Sequence, residues 1–320
     1  MNTREPRDGS STAVAWGRQS SRKLGRNLVL ALSFCAILMV RWTRRGQEAV
    51  SAGRSPAPAD VCILHTSNYE LGDNDLADSS MYAWGQYAER HGYRYIRMLV
   101  QPTAPPKAPK GMVRCSIIWR KVEAVARLLP QCPLLLLLDL DVVMVNASMP
   151  LDVLLQRWGF GERNLVLQPE DPGFPRDWVE WPDGSRHISG NTGLLLFRRH
   201  PRTAEIVEQW GACPREVPGC REVLRGFPCE QGVWNRFVRP TLRPGELVLA
   251  PCDEANGYPG ARIDHLQQDA NCTGRFIRHY WYYKERAQDE FEGQLTDGAR
   301  GLVLKRLKSS GGLQRLDAPE

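Results

Sequence analysis

The stretch PLLLLLDLDVVMV, residues 133–145, decides how this chain is read. Leu134 to Leu138 form a run that is apolar on both faces, as a central strand of a parallel sheet covered by helices must be. Asp139 and Asp141 stand where that strand should end. At i and i+2 on extended backbone two side chains point to one side, and in open α/β sheets ligands bind beyond the carboxyl ends of the strands. Two carboxylates in such a place need compensation, and a divalent cation bridging them to an anionic ligand supplies it. Hard oxygen ligands favour Mn2+ or Mg2+, with a diphosphate as the anion. Two plainer readings compete: the aspartates cap the next turn, or residues 133–145 form one buried helix.

Strands and helices alternate on either side. Val61–His65 is a short apolar strand, and Leu76–Arg90 has helical spacing that stops before Gly92, a residue suited to a left-handed C′ position. Tyr93–Met98 is the next strand. After the proline-rich loop 102–109, Ser116–Leu129 carries an apolar helical face and ends at Pro130. Further on, Leu165–Leu167, Leu194–Phe197 and Leu247–Leu249 read as strands, and Thr203–Trp210 and Glu230–Val238 as helices. The pattern is that of a doubly wound α/β fold, without internal repeats.

A chain of 320 residues, 42% hydrophobic and 24% charged, has room for a sizeable core, and ten tryptophans argue against general disorder. The formal charge of +6 is confined to the start. Met1–Arg45 holds nine Lys/Arg against two Asp/Glu, leaving the rest of the chain at −1, without the positive excess that holds nucleic acid. Leu28–Val40 is the long apolar run of that region, about 20 Å as a helix against a hydrocarbon core of ~30 Å. It reads as an uncleaved anchor or as a signal peptide cleaved near Val50-Ser51-Ala52, the former preferred. Eight of the nine cysteines follow it, with sequons at Asn146 and Asn271, which suits an oxidising lumen. Cys213, Cys220 and Cys229 are close enough for a local staple; the pairing is otherwise open.

Further pieces occur in a set order: Leu64-His65-Thr66-Ser67-Asn68, Gly72-Asp73, YAERHG at 87–92, the basic pair Arg120-Lys121, the DxD, Gly190-Asn191-Thr192-Gly193 with Arg198, Glu230-Gln231, and His279 with Lys284 five residues on. Together, over most of Val61–Glu285, they resemble nucleotide-sugar glycosyltransferases of the GT-A type, closest to family 34, the α-galactosyl, α-xylosyl and fungal α-1,6-mannosyl transferases. DLD stands where that family has Ser or Ala between its aspartates, and Glu-Gln where it has Asp-Gln, so the donor sugar stays open. The resemblance implies an α/β fold, a GT-A (Rossmann-like) single catalytic domain over 61–290 with a mostly parallel central sheet. Around it are expected a cytoplasmic tail (1–26), a signal-anchor helix (27–42), a stem (43–60) and a C-terminal tail (291–320). The location implied is the membrane of the Golgi or endoplasmic reticulum, single-pass type II with a luminal catalytic domain.

The resemblance also implies roles. Asp139, Asp141 and His279 would hold Mn2+ or Mg2+. His65, Thr66, Ser67, Asn68, Lys121, Asp139 and Lys284 would contact the nucleotide-diphosphate sugar, and Gln231, Glu230 and Asn191 would face the reacting sugar, Gln231 on the β-face near the anomeric carbon. The residue types suit these roles. A neutral imidazole is a metal ligand, a lysine offers the diphosphate a point charge, and Asn191 has donors and acceptors for hydroxyls between glycines that permit close approach. Plainer readings are a βα loop for 64–68, a tight turn for 190–193, first-turn helix residues for Glu230-Gln231, and solvent-facing cations for Arg120 and Lys121. His265 competes with His279 but has no lysine nearby. Trp178, Trp181, Trp281 and Tyr282 are candidates for stacking on sugar rings. The activity expected is metal-dependent transfer of a sugar to an acceptor glycan or glycoprotein with retention of α-configuration. Its rivals are a haloacid-dehalogenase-like phosphatase with Asp139 as nucleophile, which lacks its second acidic motif downstream, and a non-catalytic luminal sugar-binding domain.

Overall fold

The computed structural model describes residues 60–102, 110–171, 179–181, 183–226, 228–263, 268–269 and 272–317. The expected tail, anchor and most of the stem lie outside these residues, as do Trp178, His265 and Asn271. The expected Golgi membrane placement is corrected accordingly: among the described residues no helix is long and apolar enough to cross a membrane.

Nine strands matter here: β1 (Val61–Ser67), β2 (Arg94–Val100), β3 (Leu134–Leu138), β4 (Val142–Met144), β5 (Val166–Pro169), β6 (Leu194–Arg198), β7 (Leu247–Ala250), β8 (Ile277–His279) and β9 (Leu313–Leu316). Seven form one sheet in the order β9-β2-β1-β3-β6-β5-β7. The leucine strand β3 lies at its centre, parallel to β1 and antiparallel to β6. Since β5 is antiparallel to β6 and parallel to β7, β6 is the one strand that runs against the rest. All five leucines of β3 are buried. Their side chains alternate between two cores, one under the helices Asp75–His91 and Lys284–Gln294, the other under Lys110–Leu128 and Pro201–Glu216. Burial of each leucine contributes about 1.5–3 kcal/mol relative to exposure.

Local signals fix the elements around β3. The helix Asp75–His91 starts at Asn74, whose side chain accepts from Ala77 N, and ends at Gly92 with φ 72°. A side chain there would be strained, so the glycine sets the stop. Glu230–Val238 is not a single α-helix: an α-turn over Glu230–Val233 passes into a π-turn over Trp234–Val238. The wide turn aims two successive residues inward, Trp234 Nε1 to Gln168 Oε1 (3.0 Å) and Asn235 Nδ2 to Gly190 O (2.7 Å).

The segment read as a C-terminal tail joins the fold. Residue 290 falls within the helix Lys284–Gln294, and a further helix, Ala299–Ser309, leads to β9, which pairs in parallel with β2 at the sheet edge. Four disulfides form: Cys62–Cys132, Cys115–Cys229, Cys213–Cys220 and Cys252–Cys272. The local staple thus joins Cys213 to Cys220, while Cys229 bonds across 114 residues.

Candidate metal and sugar-nucleotide site

Beyond the carboxyl end of β3 the chain turns at Asp139 and re-enters extended structure as β4. Residues Ile277–His279 of β8 pair antiparallel with β4, setting His279 opposite Val142, and Tyr280 N donates to Asp141 O at 3.0 Å. This pairing carries the imidazole across more than 130 residues of sequence to the aspartates. One ligand atom each from Asp139, Asp141 and His279 lies within 4.8 Å of the other two. His279 Nε2 is 3.3 Å from Asp141 Oδ1 and 3.9 Å from Asp139 Oδ2.

Each aspartate presents one oxygen to the imidazole and the other to a lysine. Lys121 Nζ is 2.6 Å from Asp139 Oδ1, and Lys284 Nζ bonds Asp141 Oδ2. Asp141 is 3% exposed. Burial alone would raise its pKa, but His279 and Lys284 outweigh burial and hold the carboxyl far below the usual range. The two lysines differ: Lys121 is buried, whereas the Lys284 side chain is 54% exposed and starts the helix Lys284–Gln294.

Lys121 also reaches Glu230 Oε1 at 2.8 Å, so one ammonium joins the DxD to the Glu230 turn. Burial would lower the Lys121 pKa; Asp139 and Glu230 together raise it above its ordinary value. Burial also raises the pKa of Glu230, with Lys121 opposing. Thr192 Oγ1 donates to Glu230 Oε1 (3.0 Å), and Thr192 N donates to Gln231 Oε1 (3.0 Å). Gln231 Nε2 in turn donates to Asp171 Oδ2 at 2.7 Å. Asn191 Oδ1 accepts from Gly193 N (2.6 Å), and Gly193 O accepts from Asp139 N (2.7 Å), so the Asn-Thr-Gly turn leads directly to the DxD backbone.

The β1 residues separate. His65 is fully buried in β1 beside Leu138, with Nδ1 2.7 Å from Tyr95 Oη, and burial lowers its pKa to about 3. It supports the site from below. Thr66 is partly buried, Ser67, the last residue of β1, is buried and its hydroxyl accepts from Tyr69 N (3.1 Å), and Asn68 is exposed at the sheet's carboxyl edge. Arg120 is elsewhere: buried, it donates to Leu316 O (3.0 Å) and Asp317 O and fastens β9 to the helix Lys110–Leu128. Trp181 stacks on His187, and Trp281 Nε1 donates to Asn256 Oδ1 at 3.2 Å.

Asp171 escaped the sequence reading. It is a single buried acid two residues beyond β5, with no partner motif; its signal was its place after a strand end, the same rule that singled out the DxD.

No family model matches the chain, and no curated protein matches it. Solved structures do. A glycosyltransferase involved in the glycosylation of the major capsid of PBCV-1 is 19% identical, with a TM-score of 0.48, over 72% of this chain and 98% of that one. Mouse xyloside xylosyltransferase 1 is 12% identical, with a TM-score of 0.42, over 70% and 97%. GlyE of Streptococcus pneumoniae TIGR4 is 12% identical, with a TM-score of 0.42, over 79% and 64%. Likeness at this level assigns no activity to the chain.

Proposed function

We propose that the chain is a metal-dependent glycosyltransferase of the GT-A type that moves a hexose or pentose from a nucleoside-diphosphate sugar to an acceptor glycan, with retention of α-configuration. The observation that carries this is the cluster of Asp139, Asp141 and His279 at the carboxyl edge of the sheet, flanked by two lysines. Two hard oxygens and a borderline nitrogen fit Mn2+ or Mg2+, and each carboxylate keeps one oxygen away from its lysine. A bound divalent cation supplies Lewis-acid stabilisation of the charge that develops on the leaving diphosphate.

The protein's own groups do the rest. Lys284, exposed and on a flexible stem, meets the diphosphate as a point charge. Lys121, locked between Asp139 and Glu230, holds the Glu230 turn against the DxD. Gln231, with both ends of its amide engaged, is fixed in orientation toward the donor sugar, and Asn191 flanks it on the neighbouring turn. The phosphatase reading needs a second acidic motif downstream of the DxD, and the sequence has none.

The full chain incubated with Mn2+ and a panel of uridine and guanosine diphosphate sugars tests the reading. Slow, chelator-sensitive release of nucleoside diphosphate from one donor is expected, accelerated by an acceptor sugar. Release from none of them, with Mn2+ binding intact, would leave a sugar-binding domain. Cleavage of a phosphate monoester instead would restore the phosphatase.

A further inference from the structure

We propose that the Cys115–Cys229 disulfide is a positioning element of this site, setting the conformation of the Glu230-Gln231 turn. The inference rests on the reading of that turn as part of a transferase site. Cys229 is the one non-glycine among the described residues with positive φ, 55° with ψ −120°. L side chains seldom adopt such a conformation, and it persists where the surroundings over-determine it. Glu230 follows immediately. The backbone on either side is tied as well: Cys229 N donates to Gly226 O at 2.7 Å, and Cys229 O accepts from Val233 N at 3.3 Å.

The side chain of Cys229 is bonded to Cys115, with the two Cα atoms 5.3 Å apart. Cys115 belongs to the helix Lys110–Leu128, six residues before Lys121. That separation is about 9 Å of helix rise, and helical side chains lean toward their own N-terminus, so Lys121 extends back toward the level of Cys115. There it meets Glu230 Oε1 at 2.8 Å. One covalent and one ionic bridge therefore join the same helix to two successive residues of the turn. The covalent bridge fixes the direction in which the backbone leaves residue 229, and the ionic bridge depends on that direction. The contacts then pass from Glu230 and Gln231 to Thr192 and Asp171. The other three disulfides end outside this chain of contacts.

Three full-length forms test the proposal: wild type, Cys115→Ser/Cys229→Ser, and Cys115→Ser/Cys229→Gly. Both variants lack the cross-link, but glycine alone takes positive φ at little cost. In the serine pair, backbone amides of 229–233 should exchange about tenfold faster while those of Leu134–Leu138 stay protected, and the glycine pair should recover most of that protection. Mn2+ binding, read by electron paramagnetic resonance, should be equal in all three. With whichever sugar nucleotide the wild type cleaves, kcat should fall about tenfold in the serine pair with donor KM within about twofold, and recover in the glycine pair. Equal protection of 229–233 in the three forms, or equal slowing of serine and glycine pairs, overturns the proposal. A serine pair that does not fold leaves the decision to the glycine pair, which must keep its protection. If the wild type cleaves no sugar nucleotide, the transferase reading fails, and amide exchange still decides the role of the disulfide.

Discussion

Gly193 and His279 touch: a methyl group on Gly193 would lie 2.2 Å from His279 Cε1. The glycine is needed for room, since the turn before β6 must pass close to the imidazole for Gly193 O to accept from Asp139 N. Gly193→Ala should therefore push the ring off the aspartates. We expect Mn2+ affinity to fall about 10- to 100-fold, the usual cost of disturbing a ligand's support. Isothermal titration with Mn2+ checks this, and unchanged affinity would show that the ring moves freely.

Asp141→Asn replaces a buried carboxylate with an amide of the same shape that binds a hard cation poorly. The fold should persist. The unfolding temperature, expected to rise with added Mn2+ plus uridine diphosphate in the wild type, should become insensitive to both in the variant. A retained shift would place the cation elsewhere.

Removing Lys121 tests the bridge between the two halves of the site. Lys121→Met leaves Asp139 and the buried Glu230 without their shared cation, at a cost of about 3–5 kcal/mol. Adding Glu230→Gln removes one of the stranded charges and should recover a good part of the loss. Urea unfolding of Lys121→Met, Glu230→Gln and the double variant decides, and strictly additive effects would mean that the 2.8 Å contact carries no coupling.

His65 sets a pH dependence. Burial lowers its pKa to about 3, against about 6.5 in the unfolded chain, with Asp139 opposing and Arg97 assisting. Between those values the unfolded chain binds the extra proton, so the contribution is whole above pH ~6.5 and is lost as pH falls toward 3. His65→Asn, which can still bond Tyr95, should lose less of its urea midpoint between pH 7.5 and pH 5 than the wild type. Parallel losses would contradict this.

What could be read from the sequence was whatever a short segment determines by itself. Five leucines and two aspartates fixed β3 and its edge, and Gly92 ended a helix without help from elsewhere. The motif order was enough to group Asp139, Asp141, His279 and Lys284, although not to establish what they do. Asp171 was illegible because the acidic pair Glu170-Asp171 after a strand acquires meaning only when β5 is placed near β3, with β6 between them. The direction of β6 was equally hidden, since its apolar residues pattern alike in either sense. The strand β9, LQRL, has too little apolar character to stand out. Its place comes from β2 and from Arg120, whose guanidinium meets the Glu123 carboxylate and the carbonyl oxygens of Leu316 and Asp317.

That late strand bears on how the molecule is made. β2 leaves the ribosome over 200 residues before β9 does, so its outer edge stays unpaired through most of synthesis. An open strand edge is where nascent chains join one another, and in β2 the residues Tyr95, Ile96, Met98, Leu99 and Val100 are apolar or aromatic around one central charge, Arg97. The order of translation thus makes this edge of the sheet a place where the growing chain needs a chaperone, one strand away from the carboxyl end of β1.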